Sequence, residues 1–327
     1  MTDISTPVLR VTDLNVHYAV RQGLQNRTLK AVDGVSLALR PGECLGLVGE
    51  SGCGKSSLAQ AIMGIVTPTS GRVEIAGVTA DPGQRIGGLA RARAIQMVFQ
   101  DPYSSLNPRM TIRQTLSAPL HLHKLCPASE VERRIRALLG RVGLEPNAAD
   151  RYPHAFSGGQ RQRLCIARAL AVEPRILVCD EPVSALDVSI RAQIINLLLR
   201  LKDELGLALL MISHDLGVVE HMSDRIAVMY LGRFVEEGRW DQVLSKPAHP
   251  YTRALLASVP GMHKTGAARA RMTGEAPSAL RPPPGCAFHP RCPVAVDACR
   301  SGAGPGITGT AEGHQARCHL LQQGVTA

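Results

Sequence analysis

The segment that most constrains this chain is a glycine-rich loop between an apolar run and a helical run. Residues 44–48 are apolar, residues 49–56 fit the pattern G-x-x-x-x-G-K-S/T, and residues 57–63 are typical of a helix. Glycines let the backbone turn tightly, so that successive N–H groups point at an anion, and the helix adds the positive end of its dipole. The motif needs this order of strand, loop and helix. The sequence therefore predicts an α/β P-loop fold with a phosphate site.

Two side chains at the end of the loop have specific chemistry. Lys55 can reach the β- and γ-phosphates of a nucleoside triphosphate, and the Ser56 hydroxyl can ligate Mg²⁺. The residues that we predict to bind nucleotide in this segment are Gly49, Ser51, Gly52, Cys53, Gly54, Lys55, Ser56 and Ser57.

A pair of carboxylates follows a second apolar run, residues 176–179. Such a continuous apolar run is typical of a strand buried on both faces of a parallel sheet. A carboxylate at a buried strand end is costly to desolvate unless a cation or hydrogen bonds compensate. Asp180 is therefore predicted as the acid on the Mg²⁺ side, and Glu181 as the general base or water-orienting group.

The run Ser157-Gly158-Gly159-Gln160 precedes a predicted helix and forms a second candidate anion site. One chain does not need two such sites for one γ-phosphate. The economical explanation is that this loop contacts nucleotide held by another subunit, which requires a head-to-tail dimer.

The order of the other elements is less clearly marked. Residues 8–18 and 31–39 are predicted strands, and the polar residues 21–30 between them are predicted as a mobile loop. Ser129 and Glu132 fit a capping box at the start of an amphipathic helix. A helical insert over about 102–174 is expected between two strands of a mixed β core.

Composition indicates two parts. The 327 residues suffice for one large domain plus an appendage. From about Pro260 the chain is rich in Gly, Pro, Ala and Arg, so we predict an ATPase domain over 1–258 and a small Cys-containing appendage over 259–327.

Charge and hydropathy bear on the compartment. No run approaches ~20 apolar residues, and residues 1–5 do not resemble a secretory signal, so a cytosolic or membrane-attached protein is expected. The formal charge of +10 could indicate nucleic acid or anionic lipid, but the Lys and Arg residues are scattered, which is typical of a diffusely basic surface.

The order of the motifs resembles that of an ABC-transporter nucleotide-binding domain, over about residues 8–257. The segments that carry the resemblance are 49–56, Gln100, 156–160, 176–181, 184–187 and His214. The resemblance implies that Gln100 senses Mg²⁺ and the transmembrane partner, that His214 touches the γ-phosphate, and that Asp187 lines a dimer seam. It implies nucleotide contacts from Ser157, Gly159 and Gln160 across the dimer, and an adenine contact from Tyr18. The alternative for Tyr18 is a strand aromatic that fills the core. The predicted catalytic residues are Lys55, Gln100, Glu181 and His214, and the predicted Mg²⁺ ligands are Ser56, Gln100 and Asp180.

Three further segments, 99–108, 179–187 and 249–252, resemble the ATPase subunits of bacterial dipeptide and oligopeptide importers, and more narrowly the second of their two ATPases. That resemblance implies a heterodimer with a sibling ATPase, two membrane permeases, an extracytoplasmic binding protein and a place at the cytoplasmic face of the inner membrane. Relatives in this branch also move nickel, glutathione or sugars, so peptide is the favoured substrate among these.

The nine cysteines argue against disulfides in a cytosolic chain. Four of them, Cys286, Cys292, Cys299 and Cys318, lie in the appendage, where little core can form. Four thiolates can hold either zinc or an iron–sulfur cluster, and the absence of paired C-x-x-C knuckles favours a cluster. The appendage also resembles the C-terminal region of peptide-importer ATPases, some of which hold a 4Fe–4S cluster. Zn²⁺ and free thiols remain the alternatives.

Two other functions are alternatives to a transport ATPase. A soluble ABC ATPase acting on DNA or ribosomes would suit the basic charge, but such proteins carry long coiled coils or two nucleotide domains, and this chain has neither. A regulatory or metal-sensing role of the appendage is the third possibility. We expect ATP and Mg²⁺ as cofactors and no nucleic-acid partner.

Overall fold

The computed structural model describes residues 6–22, 25–80, 88–259 and 274–322. The expectations for residues 1–5 and for the composition shift at Pro260 lie outside these ranges. The strands are β1 (Leu9–Gln22), β2 (Gln25–Leu39), β3 (Cys44–Val48), β4 (Ser70–Ile75), β5 (Val78–Ala80), β6 (Ile95–Val98), β7 (Ile176–Asp180), β8 (Ala208–Ile212), β9 (Arg225–Tyr230), β10 (Arg233–Arg239), β11 (Thr308–Ala311) and β12 (His314–Ala316). The helices are α1 (Lys55–Met63), α2 (Gly88–Ala94), α3 (Pro102–Ser105), α4 (Ile112–Leu122), α5 (Val131–Arg141), α6 (Gly158–Leu170), α7 (Val188–Leu205), α8 (Leu216–Met222), α9 (Trp240–Ser245), α10 (Pro250–Ala257) and α11 (His319–Gln322).

The larger sheet is mixed and has the strand order β11-β12-β10-β9-β3-β8-β7-β6. Strands β9, β3, β8, β7 and β6 run parallel to one another, whereas β9 with β10, β10 with β12 and β12 with β11 pair antiparallel. Strands β3 and β8 are buried at every position, as expected for strands covered on both faces. Because β3, β6, β7 and β8 are parallel, the loops that follow them meet at one edge of the sheet. An α/β fold with a P-loop and a mixed core is therefore confirmed.

The smaller sheet is antiparallel, with the order β2-β1-β4-β5. Within the described residues, the prediction of a loop over 21–30 is wrong, because β1 continues to Gln22 and β2 begins at Gln25. Cross-strand pairs such as Val20 with Arg27 continue the ladder to this end. The side chains of residues 17–21 and 25–30 at this end are exposed or half-buried, so the alternation of buried apolar and exposed polar residues that marks a strand is absent there.

Between β6 and β7 the described chain is helical. The amphipathic helix was predicted correctly in α5, whose Ile135 and Leu139 are buried. The predicted capping box of Ser129 and Glu132 is wrong: residues 128–130 form a short 3₁₀ turn, and α5 begins at Val131 without a side-chain cap. Glu132 instead pairs with Arg136 at 3.0 Å and with Arg113. Among the helices of the described residues, none combines the length and the apolar character needed to cross a bilayer.

The C-terminal part of the chain packs on the main sheet. Strand β12 pairs with β10, where Glu236 lies opposite Ala316. A buried polar contact reinforces the pairing, because His314 Nε2 lies 2.8 Å from Glu236 Oε1 and both side chains are almost fully buried. The appendage is therefore held to the core by backbone pairing as well as by side chains.

Candidate active site

The phosphate loop occupies the edge of the sheet immediately after β3. Gly54, the N-cap of α1, has φ of +113°, a conformation that side chains with a Cβ rarely adopt. A Cβ on Gly54 would lie 2.1 Å from the carbonyl oxygen of Ala31. The backbone at this position thus requires glycine, and it leads directly into a helix whose first N–H groups are free to meet an anion.

Lys55 lies with its ammonium turned into the loop. Its side chain is buried, and Nζ donates to the carbonyl oxygen of Gly49 at 2.7 Å and to that of Glu50 at 3.0 Å. Nζ also lies 3.6 Å from the Cys53 sulfur. Burial raises the pKa of the Cys53 thiol, so this residue is a neutral filler beneath the loop and not a nucleophile. The ammonium has exchangeable carbonyl partners and can turn from them towards phosphate oxygens.

The two carboxylates predicted for catalysis lie at the carboxyl end of β7. Asp180 Oδ1 lies 3.4 Å from the Ser56 hydroxyl, and burial raises the pKa of Asp180. A hydroxyl beside a carboxylate is a donor set that suits Mg²⁺, which retains waters and phosphate oxygens for its other positions. Ser56 and Asp180 thus fit the predicted ion.

Glu181 lies next to His214, which follows β8. Glu181 Oε1 and His214 Nδ1 are 3.1 Å apart. Glu181 has φ of +49°, which is strained for a residue with a side chain, and its N–H donates to the carbonyl oxygen of Ile212 at 2.9 Å. This strained turn directs the carboxylate towards the phosphate loop and not along the strand.

A cavity of about 550 Å³ connects the phosphate loop with Glu181 and His214, whereas Asp180 and Gly49 do not line it. The predicted residues that line it are Tyr18, Ser51, Gly52, Cys53, Gly54, Lys55, Ser56, Ser57, Gln100, Glu181 and His214. Gln100 is exposed at the end of β6, and Tyr18 is half-buried in β1, where it both lines the cavity and packs on the core. Sequence reasoning missed the cavity walls formed by Lys30, Ala31 and Ala279, because none of these carries a motif.

The predicted residues of the Ser157 loop lie elsewhere. Ser157 and Gln160 form a reciprocal capping box at the start of α6, and neither lines the cavity. Gly159 packs closely against Ile190 of α7. The structure thus separates two candidate phosphate sites on one chain, as expected if each acts on a different nucleotide.

The four cysteines of the appendage lie near one another. None of them forms a disulfide; Cys299 and Cys318 are buried, and Cys286 and Cys292 are half-buried. Burial raises the pKa of Cys286 to about 11, and the neighbouring thiols of Cys299, Cys318 and Cys292 act in the same direction. Within the described part of the chain, however, no three His, Cys, Asp or Glu side chains are arranged to hold one metal ion. The thiols are thus grouped, but in the described part of the chain they do not form a metal site, so the arrangement supports neither zinc nor a cluster directly.

One structural link to the phosphate loop was not predicted at all. Arg291 of the appendage forms an ion pair with Glu50, and the Tyr251 hydroxyl accepts a hydrogen bond from the Glu50 N–H at 2.9 Å. Glu50 occupies a variable position of the motif, so the pattern gave it no role. Only the adjacency of Arg291 to a cysteine could have drawn attention to that end of the pair.

Two family descriptions match the chain. Residues 32–184 match the family described as ABC transporter, and residues 235–299 match the oligopeptide/dipeptide transporter C-terminal region. The first range contains the phosphate loop, Gln100, the Ser157 loop and both carboxylates. The second range ends at Cys299 and contains Arg291.

Individual proteins are similar over most of their length. The oligopeptide transport ATP-binding protein OppF of Escherichia coli (strain K12) is 50% identical over 307 residues, covering 89% of this chain and 90% of that protein. The oligopeptide transport ATP-binding protein AppF of Bacillus subtilis (strain 168) is 46% identical over 326 residues, covering 96% and 97%.

Solved structures agree on the fold. CbiO1 from Clostridium perfringens, part of an ABC transporter complex, superposes with a TM-score of 0.63 at 30% identity, covering 73% of this chain and 91% of that one. The cassette MJ0796, described as a dimer in a post-hydrolysis state bound to ADP and phosphate, superposes with a TM-score of 0.62 at 29% identity, covering 71% and 98%.

Proposed function

The chain belongs to the ATP-binding proteins of ABC transporters, in the oligopeptide and dipeptide transport branch, and from this premise we propose that it hydrolyses ATP to drive uptake of short peptides through partner permeases. The observation that carries the proposal is the single cavity that Lys55, Ser56, Gln100, Glu181 and His214 all line. Nickel, glutathione or another small solute is the alternative cargo, because the cargo is selected by other subunits.

Each residue of the cavity has a role in phosphoryl transfer to water. This reaction needs positioning and charge neutralisation more than covalent help. Lys55 would leave its carbonyl partners to neutralise the β- and γ-phosphates, and Ser56, Asp180 and Gln100 would hold Mg²⁺, which would supply further positive charge at the phosphates. Glu181 orients the attacking water and accepts its proton, and His214, 3.1 Å away, contacts the γ-phosphate.

The site is completed by a second subunit. Ser157, Gly159 and Gln160 present a helix N-terminus that does not line this chain's own cavity, and Asp187 precedes α7 near the same surface. A head-to-tail partner would bring the equivalent loop onto the nucleotide. The dimeric state described for MJ0796 supports a dimer of this fold, and the partner that we propose is a sibling ATPase. Nucleotide would then hold the two subunits together until hydrolysis releases them.

Substitution of the proposed base tests the function. We expect Glu181→Gln to retain ATP binding, to lose turnover by at least about 10²-fold, and to accumulate ATP-bound dimers. Glu204→Gln is the matched control, because the same chemical change is made at an exposed carboxylate on α7 that pairs with Arg200. Hydrolysis at the wild-type rate by the Glu181 variant, in the assembled transporter, would refute the assignment.

The remaining parts of the proposal concern assembly. We place the protein at the cytoplasmic face of the inner membrane, attached to two permeases that receive cargo from an extracytoplasmic binding protein, and divide it into an ATPase domain (1–258, helical subdomain about 102–174) and an appendage (259–327). Peptide-transport relatives support these partners. Co-purification with permeases from solubilised membranes tests them, whereas strong binding to DNA at low salt would favour the nucleic-acid alternative.

For the appendage, we propose a 4Fe–4S cluster held by Cys286, Cys292, Cys299 and Cys318. Support comes from four grouped thiols without disulfides in a segment that is poor in core residues. Anaerobically purified protein should be brown and contain iron and sulfide in equal amounts, and Cys292→Ser should remove the colour. Cys126→Ser, a half-buried cysteine outside the appendage, is the control. A colourless protein that contains one zinc, or no metal, would refute the cluster.

A further inference from the structure

A charged side chain of the appendage reaches into the phosphate loop. Arg291 Nη1 donates to Glu50 Oε2 at 2.7 Å, and Nη2 donates to Glu50 Oε1 at 2.9 Å. The two parallel bonds join residues 241 positions apart in the chain. The Arg291 side chain is 7% exposed and that of Glu50 is 25% exposed, so water competes little for the pair. Such two-pronged Arg–carboxylate contacts combine strength with a fixed geometry.

Glu50 is fixed at its backbone as well. Its N–H donates to the Tyr251 hydroxyl at 2.9 Å, and its carbonyl oxygen accepts from Lys55 Nζ at 3.0 Å. The second residue of the phosphate loop is therefore held at three groups: the amide by α10, the carbonyl by the catalytic lysine, and the carboxylate by the appendage. Lys55 must leave the Glu50 carbonyl oxygen in order to contact phosphate. The contacts of Glu50 with Arg291 and Tyr251 would then remain.

Arg291 itself has little freedom to move. It ends a 3₁₀ turn, residues 289–291, in which its N–H donates to the carbonyl oxygen of Phe288 at 3.0 Å. The Phe288 ring is 1% exposed and lies against Tyr230 and Tyr251, with ring centroids 5.4 Å apart in both cases. This aromatic cluster places the guanidinium against the loop and keeps it there.

The charge of Glu50 explains why such a contact matters. A carboxylate in a loop that binds polyphosphate repels the ligand unless a cation neutralises it. The hydrogen bonds to Glu50, and then contact with Tyr230, raise the pKa of Arg291, so the guanidinium remains charged at any accessible pH.

We propose that Arg291 is a positioning residue for nucleotide binding: the appendage holds its guanidinium against the phosphate loop, where it neutralises the Glu50 carboxylate, so that the appendage sets the affinity for ATP. This inference rests on the proposed function. It assigns the appendage a direct effect on the active site through one ion pair, whatever the cysteines hold.

The test is a set of four variants of the full chain in the assembled transporter, with Mg²⁺ and a slowly hydrolysed ATP analogue as the probe. Arg291→Met keeps the length of the stem but removes the charge, and should weaken binding about tenfold, since unit charges near 10 Å apart at a protein surface change an equilibrium constant by roughly that factor. Arg291→Met combined with Glu50→Gln should recover most of the loss. Glu50→Gln alone should bind the analogue as tightly as wild type or more tightly.

The control is Arg300→Met, the same change at an arginine of the appendage whose side chain is 62% exposed. It should bind the analogue as wild type does. In Arg291→Met the KM for ATP should rise about tenfold while kcat changes little, because Arg291 does not touch the reacting atoms. The loss should also shrink as salt is raised.

Two results would overturn the proposal. One is wild-type affinity in Arg291→Met, and the other is a double variant as weak as Arg291→Met, which would indicate a purely structural contact. If Arg291→Met does not fold, Glu50→Gln decides alone: weaker binding overturns the proposal, and equal or tighter binding supports it. Failure of the wild-type protein to bind nucleotide would instead refute the proposed function.

Discussion

His249 makes the stability of this protein sensitive to mild acid. The side chain is 2% exposed and caps α10, with Nδ1 accepting the N–H of Tyr251 at 3.0 Å. Burial lowers the pKa of His249 from its usual 6.5 to about 4; the carboxylate of Glu236 opposes this effect, and the charge of Arg253 adds to it. The folded protein therefore holds a neutral imidazole at a pH where the unfolded chain would bind a proton.

The sign and size of the effect follow from linkage. Because the pKa of His249 is lower in the folded protein, the residue does not reduce the free energy of unfolding above pH 6.5. As the pH falls from 6.5 towards 4, the unfolded chain binds a proton that the folded protein does not bind, so the free energy of unfolding decreases. At pH 5 the loss is about 2 kcal/mol, from one and a half pH units at ~1.4 kcal/mol each. His249→Asn retains a capping oxygen but cannot titrate. The stability difference between wild type and this variant should therefore shrink by about 2 kcal/mol between pH 7.5 and pH 5.

Urea unfolding at a series of pH values measures the difference, with fluorescence of the single tryptophan, Trp240, as the probe. His221→Asn is the matched control, because His221 is exposed on α8 and the same atoms are replaced. The control should follow the wild-type pH profile. Parallel profiles for wild type and His249→Asn from pH 7.5 to pH 5 would refute the reasoning, since the buried imidazole would then contribute nothing to acid sensitivity.

Two further substitutions probe the loop and the appendage. Gly54→Ala places a Cβ 2.1 Å from a carbonyl oxygen at φ of +113°, so it should reduce the free energy of unfolding by ~2 kcal/mol or more and abolish nucleotide binding. Gly77→Ala is the control, because Gly77 also has positive φ but open space around it, and this variant should lose less stability and bind nucleotide normally. Thermal melting and nucleotide titration measure the two effects. Phe288→Ala should reduce the free energy of unfolding by ~3–5 kcal/mol and make the appendage sensitive to protease. Val294→Ala, at a 43% exposed site, is the control and should have neither effect. Equal digestion of both variants would contradict the packing role of Phe288.

The sequence was informative where chemistry and local pattern coincide. Residues 44–48 and 176–179 are apolar without interruption. Such runs are typical of strands covered on both faces, and both segments are strands in the structure. Parallel strands bring their carboxyl ends together, so Lys55 and Glu181 could be expected near one another, whereas His214 was expected there only from the family resemblance. The roles of the residues that line this cavity remain predictions, and the substitutions above test them.

Local pattern failed where distant parts of the chain decide the structure. The end of the β1–β2 hairpin, residues 17–21 and 25–30, lacks a buried apolar face, so nothing in residues 21–30 distinguishes a ladder from a loop. Ser129 and Glu132 matched a capping box by spacing, but Arg136 and Arg113 compete for the carboxylate. The pairing of Arg291 with Glu50 joins residues 241 positions apart, and no periodicity can indicate a contact of that kind.

The pairing of β12 with β10 has a consequence for how this protein can be shortened. Removal of the last fifty residues would leave the main-chain amides and carbonyls of one side of β10 without partners, next to a buried Glu236 that has lost His314. An open strand margin of this sort invites self-association, although the Glu236 carboxylate would keep the N–H donors of Ala248 and His249. Truncation of the chain before β11 and β12 should therefore make the remaining protein more prone to aggregate than the full chain.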